Sequence, residues 1–389
     1  MGIAGDIALI TVAALIGGML AHMLRLPVVL GYILAGLAVG PHTPGPTVVK
    51  VEEVEVLADL GVALLLFTVG LEFPSERLTP VRKIALLGTP LQIVLTVLFG
   101  LGLGSLLEWD WQSSLWFGCL ISVSSTMIVL KVLADRGLTD TPAGHIMTAV
   151  LIVQDLAIIP MMVLLPALDD LGHGMAALGL ALVRSVLFVA AMLVLGGRAL
   201  PWLMEKMAAL GSRELFMLLT LALGLGIGYG TWQMGLSFAF GAFLAGMVLS
   251  GSEHRHRALG EVTPLRDLFA MLFFVSVGML IEPAFIVEDW GVLLFLLVMV
   301  MLAKPIIFGF LTWSFGYRDI LPLTVALYLG QVGEFAFVLA RMGSEDGSLD
   351  HPAYLSVLSL TVLTMVLTPF TTRLVEPLYG WWKKRRTRA

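Results

Sequence analysis

Long apolar runs separated by short polar connections organise this chain from end to end. A helix that crosses a bilayer needs about 20 mostly apolar residues at 1.5 Å rise each. The pattern predicts thirteen such spans, near 4–24, 27–40, 54–73, 82–107, 111–133, 143–168, 175–200, 212–231, 235–251, 262–282, 289–313, 319–342 and 354–377. The second and the ninth are short. Between them lie polar stretches such as "KVEEVE" (50–55), "EWDW" (108–111) and "GSEHRHRALGEVTPLRD" (251–267). The expected fold class is an all-α polytopic membrane protein, with a transmembrane domain over 1–377 and a basic cytoplasmic tail over 378–389.

Composition strengthens that reading. The chain has 389 residues, of which 58% are hydrophobic and only 13% charged. Soluble domains carry about 25% charged residues, so an ordinary soluble enzyme is excluded. The lipid bilayer is the first partner, and no nucleic-acid partner is expected. The single cysteine, Cys119, rules out an internal disulfide. The first apolar segment lacks a basic leader and runs directly into further membrane sequence, so it reads as a mature helix.

Basic residues set the orientation. With the N-terminus outside, nineteen of the twenty-three Lys and Arg fall in the inside loops and tail. Outside are Lys50 and Arg341, and Arg184 and Lys304 fall within spans. Such asymmetry predicts a cytoplasmic C-terminus, and opposite termini agree with an odd number of spans.

Thirteen spans also imply an internal symmetry. Spans 1–6 and 8–13 form two six-helix halves joined by span 7, which inverts the second half. Inverted repeats are a common plan for secondary transporters, and matched interruptions in the two halves point to a binding site. The fifth span of the first half holds "SVSSTMIV" (122–129), and that of the second holds "LGQVGEFAF" (329–337). Both place polar or glycine-rich sequence inside a span, which predicts two broken crossing helices.

Ionisable groups inside spans cost roughly 2.5–3.5 kcal/mol on insertion scales, so they face a cavity or a partner. Four polar features qualify: the Gln154–Asp155 pair in "VLIVQDLAII" (150–159), Lys304 in "LAKPI", the Ser124–Ser125–Thr126 run, and Glu334, with Gln331 in the same interruption. Asp155 either pairs with Lys304 or holds a proton or a cation. Lys304 pairs with Asp155, balances core charge, or takes part in exchange. Glu334 reads as structural, offsetting helix N-terminal dipoles at the second break.

With these residues in view, the chain resembles the Kef-type (KefC-like) branch of the monovalent cation:proton antiporters, related to NapA and GerN. The stretches that carry the resemblance are "PVVLGYILAGLAVGP" (27–41), "LADLGVALLLFTVGLEF" (57–73), "SSTMIV" (124–129), "VQDLAIIP" (153–160), "SFAFGAFLAGMVLSGSEHRH" (237–256), "LFFVSVGML" (272–280) and "GQVGEFAFVL" (330–339). The resemblance implies a homodimer of thirteen-span protomers. Spans 1–3 and 8–10 would form the dimerisation scaffold, and spans 4–6 and 11–13 a moving ion-transport core. It maps the family's ion-site aspartate onto Asp155, its neighbour onto Gln154, and the hydroxyl-bearing crossing onto Ser124, Ser125 and Thr126. Two departures matter. Electrogenic sodium/proton members carry two adjacent acids where this chain has Gln154–Asp155. Kef proteins also continue into a cytosolic nucleotide-binding regulatory domain, whereas this chain stops at "WWKKRRTRA".

The expected function is secondary active antiport at Asp155, with potassium favoured over sodium and one-for-one, electroneutral exchange in a bacterial-type inner membrane. Ionised Asp155 offsets a cation's dehydration, and protonated Asp155 does not, so the two ligands exclude one another. Gln154 and the hydroxyls supply neutral oxygens. No cofactor is expected beyond the transported ions. The alternatives are a channel-like efflux system and a sodium-coupled symporter of an organic solute. An enzyme is not expected, and "GLGIGYG" (224–230) reads as a glycine-rich helix because no strand precedes it.

Overall fold

The computed structural model describes residues 3–24, 26–45, 47–48, 51–72, 81–169, 187–188, 190–234 and 237–386. Within them the chain is helical, in the order α1 (Ile3–Met23), α2 (Val28–Val39), α3 (Val51–Leu71), α4 (Ile84–Leu106), α5 (Trp111–Ser122), α6 (Thr126–Asp135), α7 (Pro142–Asp169), α8 (Gly197–Ala209), α9 (Arg213–Gln233), α10 (Phe238–Leu249), α11 (Arg255–Met279), α12 (Pro283–Glu288), α13 (Trp290–Ser314), α14 (Leu321–Leu329), α15 (Phe335–Glu345), α16 (His351–Thr371) and α17 (Val375–Arg386). Among the described residues, eight helical stretches are long and apolar enough to cross a membrane. The predicted short spans are 12-residue helices, α2 and α10, about 18 Å long at 1.5 Å per residue. The seventh predicted span lies outside the described residues over 175–186 and at 189. "GLGIGYG" falls inside α9, as expected.

Of the boundaries that differ from the sequence reading, α8 continues to Ala209 beyond the expected end of the seventh span at 200, and two others have a visible cause. The stretch 255–261 was expected as a connection, yet it forms the first turns of α11. Ala258 and Val262, four residues apart, are fully buried, and that stripe carries the helix outward. Arg257 adds to it by lying over the Phe216 ring, 4.1 Å from its centroid. The expected boundary at 377 falls within α17. The preceding turn at Thr372–Leu374 is held by Arg136, whose guanidinium donates to the Thr372 carbonyl at 2.9 Å and to its hydroxyl at 3.1 Å.

The chain divides into two compact units. The first comprises Met1–Met19, Gly31–Pro74 and Met162–Leu280. Its helices touch through glycine. A Cβ added to Gly70 would overlap the Phe243 carbonyl oxygen, and one on Gly246 would overlap that of Phe67. Gly36 and Gly278 bring α2 and α11 together in the same way. Backbones approach this closely only where side chains are absent. Around these crossings pack Phe67, Met204, Phe216, Ala242 and Leu249 in one cluster, and Ile10, Val54, Leu272 and Met279 in another.

The second unit comprises Leu20–Leu30, Ser75–Met161 and Ile281–Ala389. Asp110 starts α5 by accepting from Ser113 N–H at 2.8 Å, and Asp350 starts α16 by accepting from Ala353 N–H at 2.9 Å. All eight polar residues singled out by the sequence belong to this unit.

Candidate functional site

Two spans of the second unit are interrupted where the sequence predicts. α5 stops at Ser122 because Val123 (φ −85°, ψ 150°) turns extended, and Ser125 (φ −73°, ψ 114°) caps the start of α6. Its hydroxyl accepts from Ile128 N–H at 3.3 Å. The other span stops at Leu329 and resumes at Phe335. The two interruptions meet. Gly333 N–H donates to the Val123 carbonyl at 3.1 Å, and a Cβ on Gly333 would lie 2.8 Å from the Ser124 carbonyl carbon. Glycine is required there by the approach of one backbone to another.

An interrupted helix frees backbone groups that lipid cannot satisfy, so non-helical backbone survives only where protein or water answers it. Here side chains answer almost group by group. Ser124 N–H donates to Gln154 Oε1 at 3.1 Å. Gln154 Nε2 in turn donates to the Ser122 carbonyl at 3.1 Å and to Gln92 Oε1 at 2.8 Å. Gln92 Nε2 reaches the same Ser122 carbonyl and Thr96 Oγ1, each at 3.0 Å. Ser125 N–H donates to Gln331 Oε1 at 3.2 Å. The Ser124 hydroxyl donates to the Leu329 carbonyl at 2.8 Å, and Val332 N–H donates to Thr364 Oγ1 at 3.1 Å.

Lys304 lies at the centre of this lattice and is fully buried. Its ammonium donates to the Val123 carbonyl at 3.0 Å, the Gln331 carbonyl at 2.6 Å and the Ser124 hydroxyl at 3.3 Å. An ammonium has three donors, and all three are spent. The reading that pairs Lys304 directly with Asp155 is therefore corrected. The physical reason is that the carbonyls left by the ends of α5 and α14 carry the negative ends of two half-helix dipoles, where a cation is favoured.

The carboxylates face the opposite pole. Asp155 Oδ2 accepts from Thr126 Oγ1 at 3.0 Å, at the first residue of α6. The Glu334 carboxylate meets the Ser125 side chain and the Met127 N–H, also at the start of α6. Asp155 and Glu334 are close enough to act on one another electrostatically. Both are buried, with 8% and 4% of their surface exposed. Each keeps one buried oxygen without a hydrogen-bond partner, Asp155 Oδ1 and Glu334 Oε2. Thr126 is only half-buried.

The crossing thus gathers Ser124, Ser125, Thr126, Gln154, Asp155, Lys304, Gln331 and Glu334, but with two different duties. Ser124, Gln154, Gln331 and Lys304 have their polar atoms committed to the interrupted backbones. Gln154 carries its carbonyl oxygen to Ser124 N–H, so in this arrangement that oxygen is not free for an ion. Thr126, Asp155 and Glu334 form the side with oxygens to spare. Gln92, Thr96 and Thr364 complete the lattice and were not singled out by sequence. Gln92 had a signal, an amide inside the apolar stretch "TPLQIV" (89–94). Thr364 had none, because it is one of several hydroxyls on α16.

Comparison with known proteins agrees with this architecture. A family model described as "Sodium/hydrogen exchanger, transmembrane" matches residues 10–375. The chain is 41% identical over 374 residues to YbaL of Escherichia coli (strain K12), whose name describes a cation/proton antiporter. That match covers 94% of this chain and 67% of YbaL. It is 34% identical to K(+) efflux antiporter 6 of Arabidopsis thaliana, covering 95% of this chain and 63% of that one. The chain thus spans about two thirds of the length of these relatives. The fold is that of the sodium proton antiporter MjNhaP1 from Methanocaldococcus jannaschii, with a TM-score of 0.75 at 18% identity, over 98% of this chain and 100% of the other. The chain belongs to the transmembrane sodium/hydrogen exchanger family.

Proposed function

We propose that this chain exchanges a monovalent cation for protons across a membrane by alternating access, with Asp155 as the group that holds either ion. One observation carries the reading: a buried carboxylate with a free oxygen stands against the start of α6, beside a half-buried hydroxyl, at the meeting of two interrupted helices. Ionised, Asp155 offers a cation a formal charge. Thr126 Oγ1 and the Ser125 hydroxyl offer further oxygens. Protonated, Asp155 loses that attraction. Exclusion of one ion by the other is what couples their movements.

Potassium is proposed as the favoured cation and sodium as a second substrate. The residue before Asp155 is Gln154 rather than a second acid, and Lys304 offsets the charge of Glu334, so the net field is that of one carboxylate, which penalises the larger ion less. The name of the Arabidopsis relative points the same way. Exchange of one cation for one proton moves no net charge. The first compact unit, locked by glycine contacts, suits a dimerisation scaffold, and the second suits the moving ion-transport core. The distribution of Lys and Arg supports an inner membrane location with the N-terminus outside and the C-terminus cytoplasmic.

The test is a pH-dye assay in proteoliposomes with potassium, sodium and lithium gradients compared. Each transported cation drives protons the opposite way, with potassium giving the lowest half-saturating concentration. A cation current without proton movement would replace this reading with the channel.

A further inference from the structure

Four buried charged side chains occur among the described residues, and three of them, Asp155, Lys304 and Glu334, surround the crossing. Their arrangement obeys a rule that neither break shows alone. The ammonium takes the two carbonyl ends, at Val123 and Gln331. The two carboxylates take the opposite end, at Ser125, Thr126 and Met127. Among the described residues no carboxylate meets the ammonium, so neither acid is neutralised by contact. Each acid keeps one buried oxygen with no partner. A single unpartnered carboxylate oxygen in such a place is costly. Two of them lie on neighbouring acids at one helix start.

We infer that Glu334 is a second cation ligand, and that Asp155, Glu334 and Lys304 act as one charge unit of net −1 whose occupant is a single monovalent cation seated between Asp155 Oδ1 and Glu334 Oε2. This deepens the exchange proposed above and rests on it for its transport consequences. The count explains why a lysine is kept beside a cation site. Two acids alone would present −2, and a single monovalent ion would leave the site charged. With Lys304 counted, one cation brings the unit to zero. Because Lys304 is anchored on the half-helix carbonyls, its charge is supplied without its occupying the cation's place. Glu334 thus does more than offset a helix dipole: it supplies the negative charge that Lys304 would otherwise cancel.

The inference makes a signed prediction. Glu334→Gln leaves Asp155 and Lys304 with a sum of zero, and cation binding weakens by about tenfold or more, as loss of one charge at contact distance in a partly shielded interior requires. Lys304→Gln leaves −2 and does not weaken it. The double variant restores −1 and returns affinity to within about threefold of the parent, since opposite charge changes cancel. Glu334→Asp keeps the charge and binds more tightly than Glu334→Gln.

Affinity is read in two ways. One is the half-saturating potassium or sodium concentration for exchange in proteoliposomes. The other is the rise of the thermal unfolding midpoint with either salt against choline chloride in detergent, which needs no transport. Glu334→Gln within twofold of the parent in the thermal measurement overturns the inference, and so do Glu334→Gln and Lys304→Gln that weaken binding together with a double variant weaker than both. If either single variant fails to fold, the double variant decides: recovered folding and binding uphold the charge count, and a double variant as misfolded as the single overturns it. A parent that binds cations with this mutational pattern but exchanges no protons would sink the transport reading and leave this one standing. A parent that exchanges normally, with Glu334→Gln unchanged in affinity, would do the reverse.

Discussion

The two compact units differ in the chemistry of the crossing that lies at the heart of each. In the first, contact runs through missing side chains: Gly70 on Phe243, Gly246 on Phe67, Gly36 on Val275. Its buried hydroxyls mostly return to their own helix, as Thr220 does to the Phe216 carbonyl at 2.8 Å and Thr68 to Leu65 at 2.8 Å. In the second, contact at the crossing runs through amides, an ammonium and hydroxyls that bridge separate segments, such as Lys304 to Val123 and Gln331. A polar lattice has donors and acceptors that can exchange partners, and it carries the charges an ion would meet. Close backbone contact also occurs in the second unit, at Gly100 on Gly118 and at Gly333 on Ser124, so what sets that unit apart is the ion chemistry of its crossing.

Mutations sharpen this contrast. The largest effect is expected for Asp155→Asn, which keeps the shape and removes the charge. Proton-coupled cation flux in proteoliposomes falls to that of empty liposomes, while the thermal unfolding midpoint is kept or raised. Parental flux from a folded variant would remove Asp155 from the ion site. Next comes Gly70→Val in the first unit, where a side chain must displace the Phe243 backbone. Overpacking of this kind costs about 1–3 kcal/mol and at times more, so melting drops while flux per folded molecule holds. An unchanged midpoint would show that the glycine contact is not rigid.

A smaller loss is expected for Gln92→Leu. It removes a donor to the Ser122 carbonyl and the acceptor for Gln154 Nε2. Leaving a buried amide short of a partner costs about 1–3 kcal/mol, and exchange slows because Gln154 holds Ser124 N–H. Unaltered melting and flux would mean that the lattice tolerates gaps. The smallest effect on exchange is expected for Thr364→Val, which strips Val332 N–H of its acceptor at about 1–3 kcal/mol of stability. Differential scanning fluorimetry resolves such a shift, and a gain in stability would count against the lattice.

Much of this was legible in the chain itself. Apolar runs fixed the helices because lipid rewards nothing else, and the interruptions at 123–125 and 330–334 showed as polar and glycine-rich sequence within spans. Asp155, Lys304 and Glu334 stood out since charge among apolar neighbours is costly wherever it lies. Helix ends were less legible. α11 begins at Arg255 because Ala258 and Val262 are buried beneath a polar surface, and a hydropathy average does not see a stripe.

Partnership was decided only by tertiary structure. The sequence names a lysine and two acids but not their distances, so Asp155 and Lys304 invite pairing on charge alone. Folding gave Lys304 to the carbonyls of Val123 and Gln331, because two helix ends from distant parts of the chain converge there and their dipoles add. It set Gln154 to bracing Ser124 rather than leaving its oxygen free. It also brought Glu334 to the start of α6 beside Asp155. A one-dimensional pattern reports what a residue costs to bury, and only the crossing of two backbones reports what it is buried against.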